Sequence, residues 1–115
     1  MSPVRISSLA LIRLVILAVE DVFQVDHRHL FSPSRKPIFS WPRQVAMVAL
    51  MDQLGLSSTS AARAFRRRDH ATALHARRVL HRRVASSTYD RAKIRQLLTK
   101  LAELRRIHST LKTHN

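Results

Sequence analysis

Apolar residues recur three and four apart along almost the whole of this chain, while alternation with a period of two is scarce. That spacing places them on one face of successive helices and leaves little material for strands, so the expected fold class is all-α. A single glycine in 115 residues points the same way. Glycine-rich phosphate loops of the P-loop or dinucleotide type need several glycines at turn positions, so nucleotide hydrolysis and nicotinamide chemistry fall outside what this sequence supports. Cysteine is absent, which removes disulfides, thiolate metal sites and thiol nucleophiles together. The length is that of one domain, taken as residues 1–115.

The pattern divides into about five to six helices. The first runs from about Ser7 to Phe23, with Leu9, Ile12, Ile16, Val19 and Phe23 on one face. Its apolar run, Leu9 to Val19, is interrupted by Arg13 and closed by Glu20 and Asp21, too short to span a bilayer and without a cleavage site. Asp26 can cap a short helical turn toward Leu30 and Phe31. Residues Ser32 to Trp41 read as a basic loop, after which Pro42 opens a helix that ends near Leu54, with Gly55 just past its end as a left-handed closing residue. Ser57 is the expected cap of a short helix over Ser58–Phe65 and Asp69 of a longer one whose core side holds Ala73, Leu74, Ala76, Val79 and Leu80. Ser87 and Asp90 form a capping-box variant opening the last helix, whose stripe is Ile94, Leu97, Leu101 and Leu104, widened by Leu98. Fewer than three heptads and His108 at the next seam position favour packing on the same chain over a coiled coil.

The charge is uneven. Up to Ser60 there are 6 basic and 4 acidic residues, and beyond it 15 and 3, so the halves carry +2 and +12 of the formal +14. Such an excess suits an anionic polymer or surface; a solvated basic face without a role is the plain alternative. Two modest helices joined by a tight turn, the second opening with polar residues and studded with arginine, describe a helix-turn-helix reader of double-stranded DNA. The start of its second helix, Asp69, His70, Ala71 and Thr72, would face base edges, and Arg66, Arg67, Arg68, Arg78 and Arg82 would lie along the phosphates. Seven histidines raise a metal site, but His70 and His81 stand about three turns apart, too far for one ion. Asp69 beside His70 lacks the nucleophile and oxyanion site that acid–base catalysis needs, so no enzyme, metal or cofactor is expected. Met47 and Met51, four apart, are expected in the core.

The stretch Arg68–Ala76, RDHATALHA, resembles the signature R-D-H-[ST]-T-V-x-H-A of the C-terminal DNA-binding domain of the bacterial replication initiator DnaA. PRQVAM, Pro42–Met47, is similar to the family's P-R-Q-[IVM]-A-M, at an ungapped distance from the first motif, and ILAVEDVFQVDHRHLFSPSRK resembles its upstream segment. The likeness covers about residues 8–101, leaving 102–115 as a C-terminal helix extension and tail. It implies a Trp-repressor-like helix-turn-helix bundle that binds the DnaA box, a short AT-rich duplex element. Carried over, Arg68, Asp69, His70, Ala71 and Thr72 would read the major groove, and Arg35 would enter the neighbouring minor groove, whose narrow electronegative floor in AT-rich sequence suits arginine. Arg43, Gln44 and His75 align with the family's phosphate contacts, as do Ser58 and Thr59 through backbone N–H groups of a helix start, and Lys36, Arg66, Arg67 and Arg78 would add phosphate contacts through their own charge.

Three departures stand out. Ala71 replaces a usual Thr or Ser, Arg66-Arg67 replace a frequent Gly-Gly, with strain if that turn needs a positive φ, and Trp41 occupies an often basic site. The expected partner is double-stranded DNA in a cytoplasmic, nucleoid-associated setting, with no membrane or nucleotide, and with the full-length initiator or a second copy on DNA as further partners. The expected role is regulation of replication initiation or transcription without ATPase activity. The alternatives are a non-specific cationic binder of nucleic acid or anionic membrane, for which the charge alone would suffice, and an interaction module for the full-length initiator.

Overall fold

Ten of the eleven residues from Trp41 to Met51 are buried, Gln44 being the half-buried exception, and that segment is the axle of the fold. The computed structural model describes residues 8–113. Among them are six helices: α1 (Ser8–Phe23), α2 (His27–Leu30), α3 (Pro37–Asp52), α4 (Ser58–Ala64), α5 (His70–Ser86) and α6 (Thr88–Thr113). Helix α3 packs against α1, α2, α4 and α5, while α6 lies along α1 and meets α5. Phe65, Leu30, Met47, Leu50 and Leu97 are the largest fully buried side chains, each worth about 1.5–3 kcal/mol of apolar transfer. The all-α expectation therefore holds, and both methionines are core.

Local signals set most boundaries. Asp26 accepts from the Arg28 N–H at 2.8 Å to cap α2, Ser57 Oγ from Ser60 N–H at 3.1 Å to cap α4, and Asp69 from Ala71 N–H at 2.9 Å to cap α5. Gly55 stands at φ +73°, and the Leu56 N–H closes α3 onto the Leu50 carbonyl at 2.9 Å.

Four expectations change. Helix α3 begins at Pro37, five residues before Pro42, because either proline suits a first turn and Lys36, extended at φ −60° and ψ 131°, opens the helix there; its carbonyl takes the Phe39 and Ser40 N–H groups at 2.9 and 2.8 Å. Pro42 then sits inside the helix, where its ring costs one backbone bond, and the basic loop shrinks to Ser32–Lys36. The buried face of α1 is Leu14, Val15, Ala18, Val19 and Val22, rotated from the expected one; Leu9 is 57% exposed, and a run apolar on nearly all sides leaves the choice of face to α3 and α6. The capping box is half made: Ser87 Oγ takes the Asp90 N–H at 3.1 Å, but the Asp90 carboxylate turns to Arg83 and the Ser87 N–H to the Arg83 carbonyl. The first helix starts at Ser8, Ser7 being outside the described residues, as is the end of the tail from residue 114.

Helix α6 is anchored at both sides of its first half. Lys93 Nζ donates to the Val22 carbonyl at 3.0 Å, and Lys100 pairs with Asp21 at 3.7 Å. Leu97 and Leu101 are buried in the shared core, with Ile94 and Leu104 half-buried against it. Trp41, 7% exposed, meets Phe23 edge-on at 6.4 Å and carries the Arg83 guanidinium over its ring at 3.9 Å, so it packs on its own chain.

Candidate nucleic-acid interface

Helix α4, the turn Phe65–Asp69 and helix α5 form the helix-turn-helix unit. The turn is tight because Arg66 adopts φ 62°, in the left-handed region, with its N–H on the Arg63 carbonyl at 2.9 Å, while the Arg67 N–H reaches the Ala62 carbonyl at 2.9 Å. The positive φ that the Gly-Gly departure raised as a condition is thus present at Arg66, and a non-glycine residue there carries about 1–2 kcal/mol of backbone strain. Helix α5 buries Ala73 and Ala76 against α3 and α4, small side chains that bring its backbone close to the core. Arg77 ties it further to Asp52 at the end of α3.

The opposite side of α5 is open. Arg68, Asp69, His70 and Ala71 are exposed at its start, and His75, Arg78 and Arg82 continue the exposed face along the helix. His70 Nδ1 lies 3.6 Å from the capping Asp69 Oδ1, with both side chains exposed. Between α5 and the loop before α3 runs an open cleft of about 760 Å³, lined by Arg35, Ser40, Gln44, Arg67, Asp69, Ala71, Thr72 and His75 among others. The structure therefore brings Arg35, Arg43, Gln44, Arg67, Asp69, Ala71, Thr72 and His75 to one concavity. Arg78 lines a second, shallower groove with His75, His81 and Arg82, and Ser58 and Thr59 stand apart, half-buried at the start of α4. Lys36 is exposed at the start of α3 and Arg66 at the turn.

Arg43 departs from expectation. Its side chain is turned inward and only 4% exposed, with Nε donating to the Leu30 carbonyl at 2.7 Å, Nη1 to that of Ser34 at 3.1 Å and Nη2 to that of His29 at 3.2 Å. With its three nitrogens on backbone carbonyls, the Arg43 guanidinium fastens the loop to α3 from the inner side of the cleft, a structural role the sequence did not suggest. Burial, followed by the like charge of Arg67, pushes its pKa below the ordinary arginine value. Neither Arg43 nor Arg67 is ion-paired to a carboxylate among the described residues.

The loop itself is stiffened by serines. Ser32 Oγ donates to the His29 carbonyl at 2.9 Å, the Ser34 N–H to Ser32 Oγ at 3.4 Å, and the Lys36 N–H to Ser34 Oγ at 3.2 Å. Arg35 is exposed on this frame. Sequence reasoning missed Ser40 on the cleft wall and the serine frame; the Ser-Pro-Ser spacing was the available signal for the latter. Among the described residues no group of three or more His, Asp or Glu is gathered closely enough to hold a metal ion, and no helix is long and apolar enough to cross a membrane.

The family model for the bacterial DnaA protein helix-turn-helix matches residues 12–79. The chromosomal replication initiator protein DnaA of Thermomicrobium roseum is 33% identical over 90 residues, which cover 78% of this chain and 19% of that protein. The chain thus spans about a fifth of the length of the curated relative it matches. The matched span runs from α1 through the turn and the first half of α5, the part of the molecule in which loop, turn and exposed helix start face one another, and on that ground the chain belongs to the bacterial DnaA helix-turn-helix family.

Proposed function

We propose that this chain binds double-stranded DNA sequence-specifically at DnaA-box-like sites. In this reading the start of α5 enters the major groove with Arg68, Asp69, His70, Ala71 and Thr72, and Arg35 enters the adjacent minor groove. Lys36, Gln44, Ser58, Thr59, Arg66, His75 and Arg78 take the flanking phosphates. The observation that carries it is the cleft in which the loop arginine and the exposed, capped start of α5 face each other across a strongly basic surface. A short polar helix start reads base edges, whereas arginines on either side hold the backbone without reading it. Ala71 offers a methyl for a thymine methyl in place of a hydroxyl, which shifts target preference at that base. Occupying such sites would regulate replication initiation or transcription without nucleotide hydrolysis, in the cytoplasm on the nucleoid, with a full-length initiator or a second copy as neighbour on the DNA.

Specificity at fixed salt is the test. A duplex carrying a DnaA box should bind at least about tenfold, or about 1.4 kcal/mol, better than a scrambled duplex of the same composition. His70→Ala should lower that discrimination by about 1–3 kcal/mol. Equal binding of both duplexes by the parent protein would leave only a non-specific cationic binder.

A further inference from the structure

Three consecutive residues of the α4–α5 turn reach across to the loop that carries Arg35. Phe65, fully buried, stacks on Phe31 with ring centroids 5.5 Å apart. The Arg66 guanidinium lies over the same Phe31 ring at 5.6 Å, and Arg67 Nη2 donates to the Ser32 carbonyl at 3.1 Å. The left-handed backbone at Arg66 lets adjacent arginines serve the same loop, one at the ring and one at the carbonyl three residues before Arg35. Phe31 and Phe65 would hold the two segments together by themselves, but a ring stack tolerates sliding. A hydrogen bond from a guanidinium to one carbonyl does not, and this bond lies at the head of the serine frame that ends at Lys36.

We propose that Arg67 is a positioning residue that sets the register of Arg35 against the start of α5, so that reading of the minor groove and reading of the major groove are mechanically coupled through the Ser32 carbonyl. The proposal rests on the DNA-binding reading above and deepens it. Arg67 is half-buried and spends one nitrogen on the loop, whereas a residue acting only on phosphate would have its whole guanidinium in solvent. The groove distance between the two readings is fixed by DNA geometry, so a loop held in register before binding loses less freedom on docking.

The experiment is a double-mutant cycle of Arg35→Ala and Arg67→Ala in the full chain, on a DnaA-box duplex and on one whose A·T pairs facing the loop are replaced by G·C, across a salt series. Arg67→Ala should weaken binding to the intact duplex about fivefold, and Arg35→Ala should then cost markedly less than in the parent. Discrimination between the two duplexes should fall, the salt slope should hold, and Arg67→Lys, whose ammonium can reach the same carbonyl, should recover most of the loss. Independent single effects with a slope lower by about one unit would overturn the proposal and make Arg67 a plain phosphate contact. Hydrogen exchange of the Ser34–Lys36 amides in the free protein supplies a second measurement: exchange should quicken in Arg67→Ala, and unchanged exchange would also overturn the proposal. Should the parent bind boxed and scrambled duplexes alike, the DNA reading fails by itself, and the exchange measurement still decides the tie between Arg67 and the loop.

Discussion

Replacing Arg43 separates two readings of the same residue. In Arg43→Ala the Leu30 carbonyl, which is buried, loses its partner at a cost of about 1–3 kcal/mol, while the part-buried His29 and Ser34 carbonyls pass to water at about 0.5–1.5 kcal/mol each. Relief of the desolvated guanidinium returns about 1 kcal/mol, so the expected net loss is about 3 kcal/mol. Unfolding entropy of about 2.1 cal/mol/K per residue converts that to a melting temperature about 12 °C lower for a chain of this length. Arg43→Lys should fall between the two, because a single ammonium cannot match a fork aimed at carbonyls on separate residues. Circular dichroism melts, paired with duplex binding across a salt series, read both consequences. A variant that melts within about 2 °C of the parent and loses about one unit of salt slope would refute the inward-facing role and return Arg43 to the phosphates.

At position 66, glycine should be more stable than alanine by about 0.5–1 kcal/mol in urea unfolding, since both lose the Phe31 contact but only glycine relieves the φ of 62°; equal stabilities would remove the strain. Arg83→Met should cost about 2 kcal/mol by leaving the buried Asp90 carboxylate unpaired, and should change the emission of Trp41, the sole tryptophan, whereas adding Asp90→Asn should recover much of the stability; full additivity would deny the pair. The Asp26 carboxyl is drawn down to about 2, from 3.8, chiefly by the Arg28 side chain and then by its N–H. A folded-state pKa below the unfolded one stabilises above about pH 4 and loses that contribution as pH falls toward 2, so carbon-detected titration should find Asp26 ionised at pH 3, and Asp26→Asn should flatten the acid limb of stability.

Features written in neighbouring residues were legible. Asp26, Ser57, Asp69 and Gly55 each act within a few positions of themselves, so their caps and turns could be named from the chain alone. The start of α3 was not legible, because Pro37 and Pro42 are equally acceptable in a first turn and the choice falls to Trp41 meeting Phe23 and Arg83 from other helices. Arg43 misleads for a related reason: an arginine in a basic chain reads as solvent-facing until carbonyls 9 to 14 residues upstream are known to converge on it. Asp90 is the same lesson with the sign reversed, since its local role as a cap is overridden by Arg83 seven residues away. The exposed start of α5 and the loop arginine were visible in sequence through the family's motifs; the ties that hold them face to face were not.

Burial, and after it the like charge of Arg67, lowers the Arg43 pKa, and among the described residues no carboxylate is ion-paired to either arginine. Two like charges thus meet at the junction between loop and turn. A polyanion settling into the cleft beside them would ease that repulsion as well as form contacts of its own. A backbone of phosphates would then act on this junction as a counter-charge that the described residues do not supply.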